Sequence, residues 1–104
     1  DLLWTPLHFA IVSDKLAAVV LLLKHGANAG IGDKNNRCPL HFAASLGLTE
    51  IVRVLIEEGH ADVLALDSEG QTPLDHAVAN IKPECVQFLK TVQSTQNKEQ
   101  RTEL

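Results

Sequence analysis

Five histidines, His8, His25, His41, His60 and His76, are the first residues to weigh for chemistry in this chain of 104 residues, because imidazole is the usual base and metal ligand near neutral pH. Cys38 and His41 form a Cys-x-x-His pair, half of what a tetrahedral zinc requires. No second pair stands at a matching spacing. Asp75 and His76 are adjacent, but consecutive helical residues point about 100° apart, so adjacency alone does not make a carboxylate–imidazole dyad. No serine or cysteine nucleophile has both a base and an orienting acid in view. The glycines fall at turns and helix ends rather than in a phosphate-cradling loop. The residues therefore predict no catalytic group, no metal and no cofactor.

The elements that hold these residues repeat along the chain. Thr5–Ala10 reads TPLHFA, Cys38–Ala44 reads CPLHFAA and Thr72–Ala77 reads TPLDHA, with Pro6, Pro39 and Pro73 spaced by 33 and 34 residues. A second register agrees: aliphatic stretches from Val19, Ile51 and Cys85 follow these prolines by 12 or 13 residues, and His60 takes the single extra residue. In each unit Thr5 or Thr72 can cap a helix whose first residue is the proline, which has no N–H to leave unpaired. Cys38 replaces the capping threonine in the second unit, at a cost of about 1 kcal/mol. A helix of roughly seven residues follows, and Gly47 gives the freedom for a tight turn into a second helix, Thr49 to Glu58. Along it, Ile51, Val52, Val54, Leu55 and Ile56 face inward and Glu50, Arg53, Glu57 and Glu58 face water. Gly26 and Gly59 read as left-handed caps ending the second helices. The stretches DKNNR and DSEGQ are turn chemistry, so each unit closes in an extended, hairpin-like excursion.

Composition limits what such an array can do. Apolar residues make up 45% of the chain and aromatics 4%, with tyrosine and methionine absent, so aliphatic and alanine side chains fill the core. The net charge of −4, with no basic cluster, argues against a nucleic-acid or anionic-membrane surface. The longest apolar run, Leu16 to Leu23, spans eight residues, too few to cross a membrane. Two cysteines make no disulfide framework, which points to the reduced cytoplasm or nucleus.

These units resemble the ankyrin repeat, whose pattern runs Asp-x-x-Gly-x-Thr-Pro-Leu-His-x-Ala-Ala, then Gly-His, an aliphatic helix and Gly-Ala-Asp. The resemblance implies an all-α solenoid of stacked helix–turn–helix pairs with β-hairpin-like fingers. Its domain covers residues 1–93, in repeats of about 1–32, 33–66 and 67–93, and a disordered tail covers 94–104. It assigns structural roles to Thr5, Pro6, Leu7, His8, Cys38, Pro39, Leu40, His41, Thr72, Pro73, Leu74, Gly26, Gly47, Gly59 and Gly70. His8 and His41 become the histidines that bond loop backbone and register adjacent repeats, rather than catalysts. His25 and His60, beside the terminating glycines, are solvated.

The departures from the pattern carry expectations of their own. Leu3 stands where a fingertip glycine belongs, and the second helix of repeat one is apolar on nearly every side. Such a face wants cover, so the chain is expected to continue upstream with another repeat or to self-associate there. Repeat three looks like an end. Asp75 replaces the usual histidine, and Ile81 sits at the turn glycine, where positive φ would strain it, so the turn is expected to shift to Asn80.

The resemblance also implies a non-enzymatic interaction module that binds a protein partner through its fingers and concave inner-helix face, with no nucleic acid and no membrane insertion. The register places Trp4, Arg37 and Gln71 in one column before the caps. Lys34, Asn35, Asn36, Ser68 and Glu69 lie further out on the fingers. Val12 with Ser13, Ser45 with Leu46, and Ala79 with Asn80 end the inner helices. Trp4 and Arg37 rank first because tryptophan and arginine are enriched at binding hot spots. Trp4 is expected to point toward a partner or pack on a finger, a core role being the remotest of the three. Two alternatives are a structural spacer packed on a neighbouring domain or upstream repeats, and a tail in which Thr102-Glu103-Leu104 is similar to a PDZ-domain ligand.

Overall fold

A computed structural model describes residues 2–102 of the chain, with side chains through residue 95. Six helices follow in pairs: α1 (Pro6–Val12) with α2 (Leu16–Lys24), α3 (Pro39–Leu46) with α4 (Thr49–Glu57), and α5 (Pro73–Ala79) with α6 (Pro83–Thr102). The inner helices form one layer, in which α3 touches both α1 and α5. The outer helices form the second, in which α4 touches both α2 and α6. Each inner helix begins as its sequence dictates. Thr5 and Thr72 accept from the backbone N–H groups of His8 and Asp75, and a proline takes the first helical position.

The core between the layers is aliphatic. Leu7, Ile11, Leu40, Ile51, Leu55 and Leu89 are fully buried, and small Ala43, Ala44 and Ala77 let neighbouring inner helices approach closely. On α4, Ile51, Val52 and Leu55 are buried and Val54 and Ile56 are half-buried, as the pattern predicts. Its polar side carries Glu50 and Arg53 at 3.7 Å from each other, with the Arg53 guanidinium 5.6 Å above the Phe88 ring.

Positive-φ residues mark the same two joints in each unit. Leu3, Asn36 and Gly70 occupy the fingertips, and Asp14, Gly47 and Ile81 the turn between inner and outer helix. The expected shift of the third turn does not occur. Ile81 itself is left-handed (φ 54°), whereas Asn80 keeps φ −99°. The stacked register holds this joint against the intrinsic preference of a β-branched residue. A second correction concerns the caps: Gly26 is left-handed (φ 90°), but in repeat two His60, not Gly59, takes that conformation. Gly59 is small for a different reason, since a Cβ there would lie 2.7 Å from the Leu55 carbonyl oxygen and 3.1 Å from Leu23 Cδ2.

The fingers are tight turns; no strand forms among the described residues. Single backbone bonds tie them in succession, Lys34 N–H to the Leu2 carbonyl and Ser68 N–H to the Asn35 carbonyl, each 2.9 Å. Past Val92, where lost apolar periodicity predicts a disordered tail or a frayed helix, α6 continues to Thr102. Gln, Lys, Glu and Arg are good helix formers, so the helix outlasts the face it can bury. Residues 103 and 104, and with them most of the PDZ-like ending, lie outside the described residues.

The ends of the stack differ from its middle. Pro39 and Pro73 are buried by the preceding repeat, whereas their equivalent Pro6 is exposed. On α2 only Val19 is buried, and Leu16 and Leu21 are exposed as the apolar pattern anticipates. A groove of about 370 Å³ opens on this side between Pro6, Leu7, Leu22, Ala27 and Ile31. Repeat three is less polar than an end should be: Val78 and Ile81 are exposed, although the Val78 equivalents Ile11 and Ala44 are fully buried.

Candidate protein-binding face

The two family histidines are structural in every bond they make. The backbone N–H of Thr5 donates to His8 Nδ1 (3.1 Å), and His8 Nε2 donates to the Arg37 carbonyl (2.9 Å). His41 repeats this with the Cys38 N–H (3.0 Å) and the Gln71 carbonyl (3.0 Å). Each ring thus pins the start of its own inner helix to the finger of the next repeat. Burial lowers the pKa of His41; the Gln71 carbonyl opposes this and the charge of nearby His76 adds to it. A buried ring with both nitrogens bonded has no lone pair left for a substrate.

The fingers are built on two equivalent aspartates. Asp33 Oδ1 accepts from the N–H groups of Asn35 and Arg37, and Asp67 Oδ1 accepts from those of Glu69 and Gln71, all at 2.9 Å. Around Asp33 the flanking register positions hold Trp4 and Phe42, whose rings pack edge-to-face at 5.5 Å. Around Asp67 the same positions hold Arg37 and His76. Arg37 Nε lies 3.8 Å from Asp67 Oδ2, to which His76 Nε2 donates at 2.7 Å. Burial raises the pKa of Asp67. The Gln71 N–H, the His76 side chain, the Glu69 N–H and the His76 charge outweigh it and hold the carboxyl down at about 2.

His41, Asp67 and His76 bring one ligand atom each within 4.8 Å of the others, the one metal-like cluster among the described residues. Its donor set does not suit a cation. His41 Nδ1 already accepts the Cys38 N–H, so its proton sits on Nε2, and a metal there would displace both that proton and the Gln71 bond. Cys38 takes no part; its thiol faces the Gly30 carbonyl at 3.6 Å and burial pushes its pKa up.

The residues expected to meet a partner divide into two groups. Arg37 and Gln71 also make contacts within the fold: the Arg37 guanidinium lies near Asp67 and Glu69 (3.4 Å), and the Gln71 backbone serves His41 and Asp67. Trp4 is half-buried between Phe9 (5.1 Å) and Phe42, with its Nε1 shielded from solvent, closer to a core role than its place near the chain start implies. Lys34, Asn35 and Glu69 are exposed on the fingers. Asn80 Nδ2 donates to Ser45 Oγ (3.2 Å), which joins the ends of α3 and α5 as the register predicts, and Leu46 beside them is exposed.

Two residues of this face escape the sequence reading, Phe9 and Phe42. Phe9 is 56% exposed and Val12, one turn further along α1, is 40% exposed, so the inner face of repeats one and two presents an apolar surface next to Trp4. The available signal was the third equivalent of these phenylalanines, His76. A register position that takes a polar residue in one repeat is not closed core in the others.

The sequence profile of the family described as ankyrin repeats (3 copies) matches residues 7–101. A probable 26S proteasome regulatory subunit p28 of Saccharomyces cerevisiae is 39% identical over 72% of this chain and 33% of its own length. The B-cell lymphoma 3 protein homolog of Mus musculus is 37% identical over 82% of this chain and 20% of its own. The glycerophosphocholine phosphodiesterase gde1 of Schizosaccharomyces pombe is 41% identical over 71% of this chain and 6% of its own. The chain thus spans a third or less of each of these relatives.

Proposed function

The chain belongs to the ankyrin-repeat family, and on that premise we propose that it binds a partner protein through its concave inner-helix face and fingers, without catalysing a reaction. Ankyrin repeats are generally protein–protein interaction modules. The observation that carries the reading is the solvent-open apolar surface of Phe9 and Val12 beside half-buried Trp4, on a face that the fold has no use for internally. The histidines support the non-enzymatic part, since His8 and His41 spend both ring nitrogens on backbone. One relative is named a phosphodiesterase, but this chain covers 6% of it. The test is Phe9→Ser in a pull-down with the natural partner. Capture should fall while thermal unfolding stays within a degree or two of wild type; undiminished capture sinks the proposal. No described helix is long and apolar enough to cross a membrane. A cytoplasmic or nuclear site is part of the same reading, supported by the two unpaired thiols and refuted by recovery of a natural disulfide-linked form.

A second reading concerns the other apolar face. Exposed Pro6, Leu2, Leu21 and Ile31 favour a packing role, in which the outer side of repeat one covers, or is covered by, a neighbouring structural unit or a second copy. Sedimentation across a concentration series tests this: Leu21→Lys should abolish any self-association, and a wild-type chain that stays monomeric throughout removes the second copy as occupant.

A further inference from the structure

The chemistry of the partner is legible in where this molecule keeps its charges. On the three inner helices the only Lys, Arg, Asp or Glu is Asp75, and its carboxylate already accepts the Thr72 N–H at 2.9 Å. His76 is held by Asp67, and on the fingers Arg37 pairs with Glu69, which leaves Lys34 exposed at the fingertip away from α1 and α3. The other exposed charges of the helices sit on the outer layer, at Lys24, Glu50, Arg53, Glu57, Glu84 and Lys90. A charged side chain docking against α1 and α3 would shed hydration where neither helix carries a Lys, Arg, Asp or Glu to receive it, whereas an apolar one loses nothing.

The same face is graded along the stack. Its repeat-one and repeat-two side exposes Phe9 (56%), Val12 (40%) and Leu46 (45%). Its repeat-three side offers Asn80, bonded to Ser45, and small Ala79. Resting on the concave-face reading above, we infer that the partner is an uncharged protein segment that seats an aromatic or large aliphatic side chain against Phe9. Its polar backbone lies toward Asn80.

A displayed library of random peptides, selected on the 104-residue chain, tests this with the single tryptophan, Trp4, as a fluorescence reporter. The selected pool should be enriched in Trp, Phe or Leu without net charge, should shift Trp4 emission, and should bind with little dependence on salt. Phe9→Ala should weaken the best peptide by about tenfold or more, while Glu57→Ala on the outer layer leaves it unchanged. Circular dichroism of both variants checks that they fold. A pool of charged, salt-sensitive peptides that still depends on Phe9 overturns the inference and leaves the concave-face reading standing. Peptides indifferent to Phe9→Ala overturn both. A library that yields no binder overturns the inference, because an open apolar face of this kind should hold a matching peptide at about micromolar strength.

Discussion

Asp67 shows how one buried carboxylate can carry the geometry of a whole finger. Its folded pKa of about 2 lies below the ordinary value of 3.8, so its bonds contribute stability that is complete above the unfolded value and is lost as pH falls through the folded one. His41 acts at a higher pH with the same sign. Its folded pKa is lowered from 6.5, so the unfolded chain takes up the proton first and stability declines as pH drops below that value. Urea unfolding should therefore show one loss between about pH 7 and 5 and a second below about pH 4, with Asp67→Asn removing most of the second. At neutral pH that variant should be less stable by about 2 kcal/mol, since an amide cannot match a carboxylate accepting two backbone N–H groups and His76. A pH profile unchanged in the variant would show that Asp67 is not the hub. Ile81 poses the opposite case, a residue kept against its own preference. It is 84% exposed, so its side chain gains almost nothing from packing to offset φ 54°. Ile81→Gly should raise stability by about 1 kcal/mol, or roughly 5 °C in Tm, and a fall on thermal unfolding would mean that the strain is not real.

At the scale of elements, the helix starts were readable because capping is local chemistry. Thr-Pro at Thr5 and Thr72 gives a cap and a first turn without reference to anything distant. Cys38 is the exception that tests this rule. The His41 ring receives the Cys38 N–H as His8 receives that of Thr5, but a thiol is a poor acceptor for the first-turn N–H of α3. Cys38→Thr should gain about 1 kcal/mol in denaturant unfolding; a loss would show that the buried site has no room for the extra methyl. What the sequence hid were roles set by neighbours one repeat away. Phe9 and Phe42 share their letters with core residues, and their exposure depends on what Trp4 covers. Arg37 has the type of a hot spot, and its pairing with Asp67 and Glu69, about thirty positions on, is invisible to local pattern. Gly59 looked like a cap by type and proved to be a contact with α2, which no local pattern can reveal.

For the whole molecule, the consequence of stacking is that no repeat owns a closed core. Each helix pair buries its faces against the pairs on either side, so α3 and α4 of the middle repeat are shared by both ends. A domain of this size is stable by only about 5–15 kcal/mol, and losing one interface removes a large part of that. The three repeats should thus unfold together. The chain supplies its own probe: Trp4, packed on Phe9 and Phe42, reports on repeat one and its junction with repeat two, while far-ultraviolet circular dichroism reports on all six helices. Their denaturation curves should coincide. Leu55→Ala, a truncation of a fully buried side chain in repeat two, should lower stability by about 3 kcal/mol and move both curves by the same amount. If the Trp4 transition stays in place while the helical signal shifts, repeat one folds independently of its neighbour. The bonds from the His8 ring to the Arg37 carbonyl and from the Lys34 N–H to the Leu2 carbonyl would then be contacts without coupling. A joint shift would instead mean that the concave face, which draws on repeats one and two together, forms or disappears as a unit with the fold.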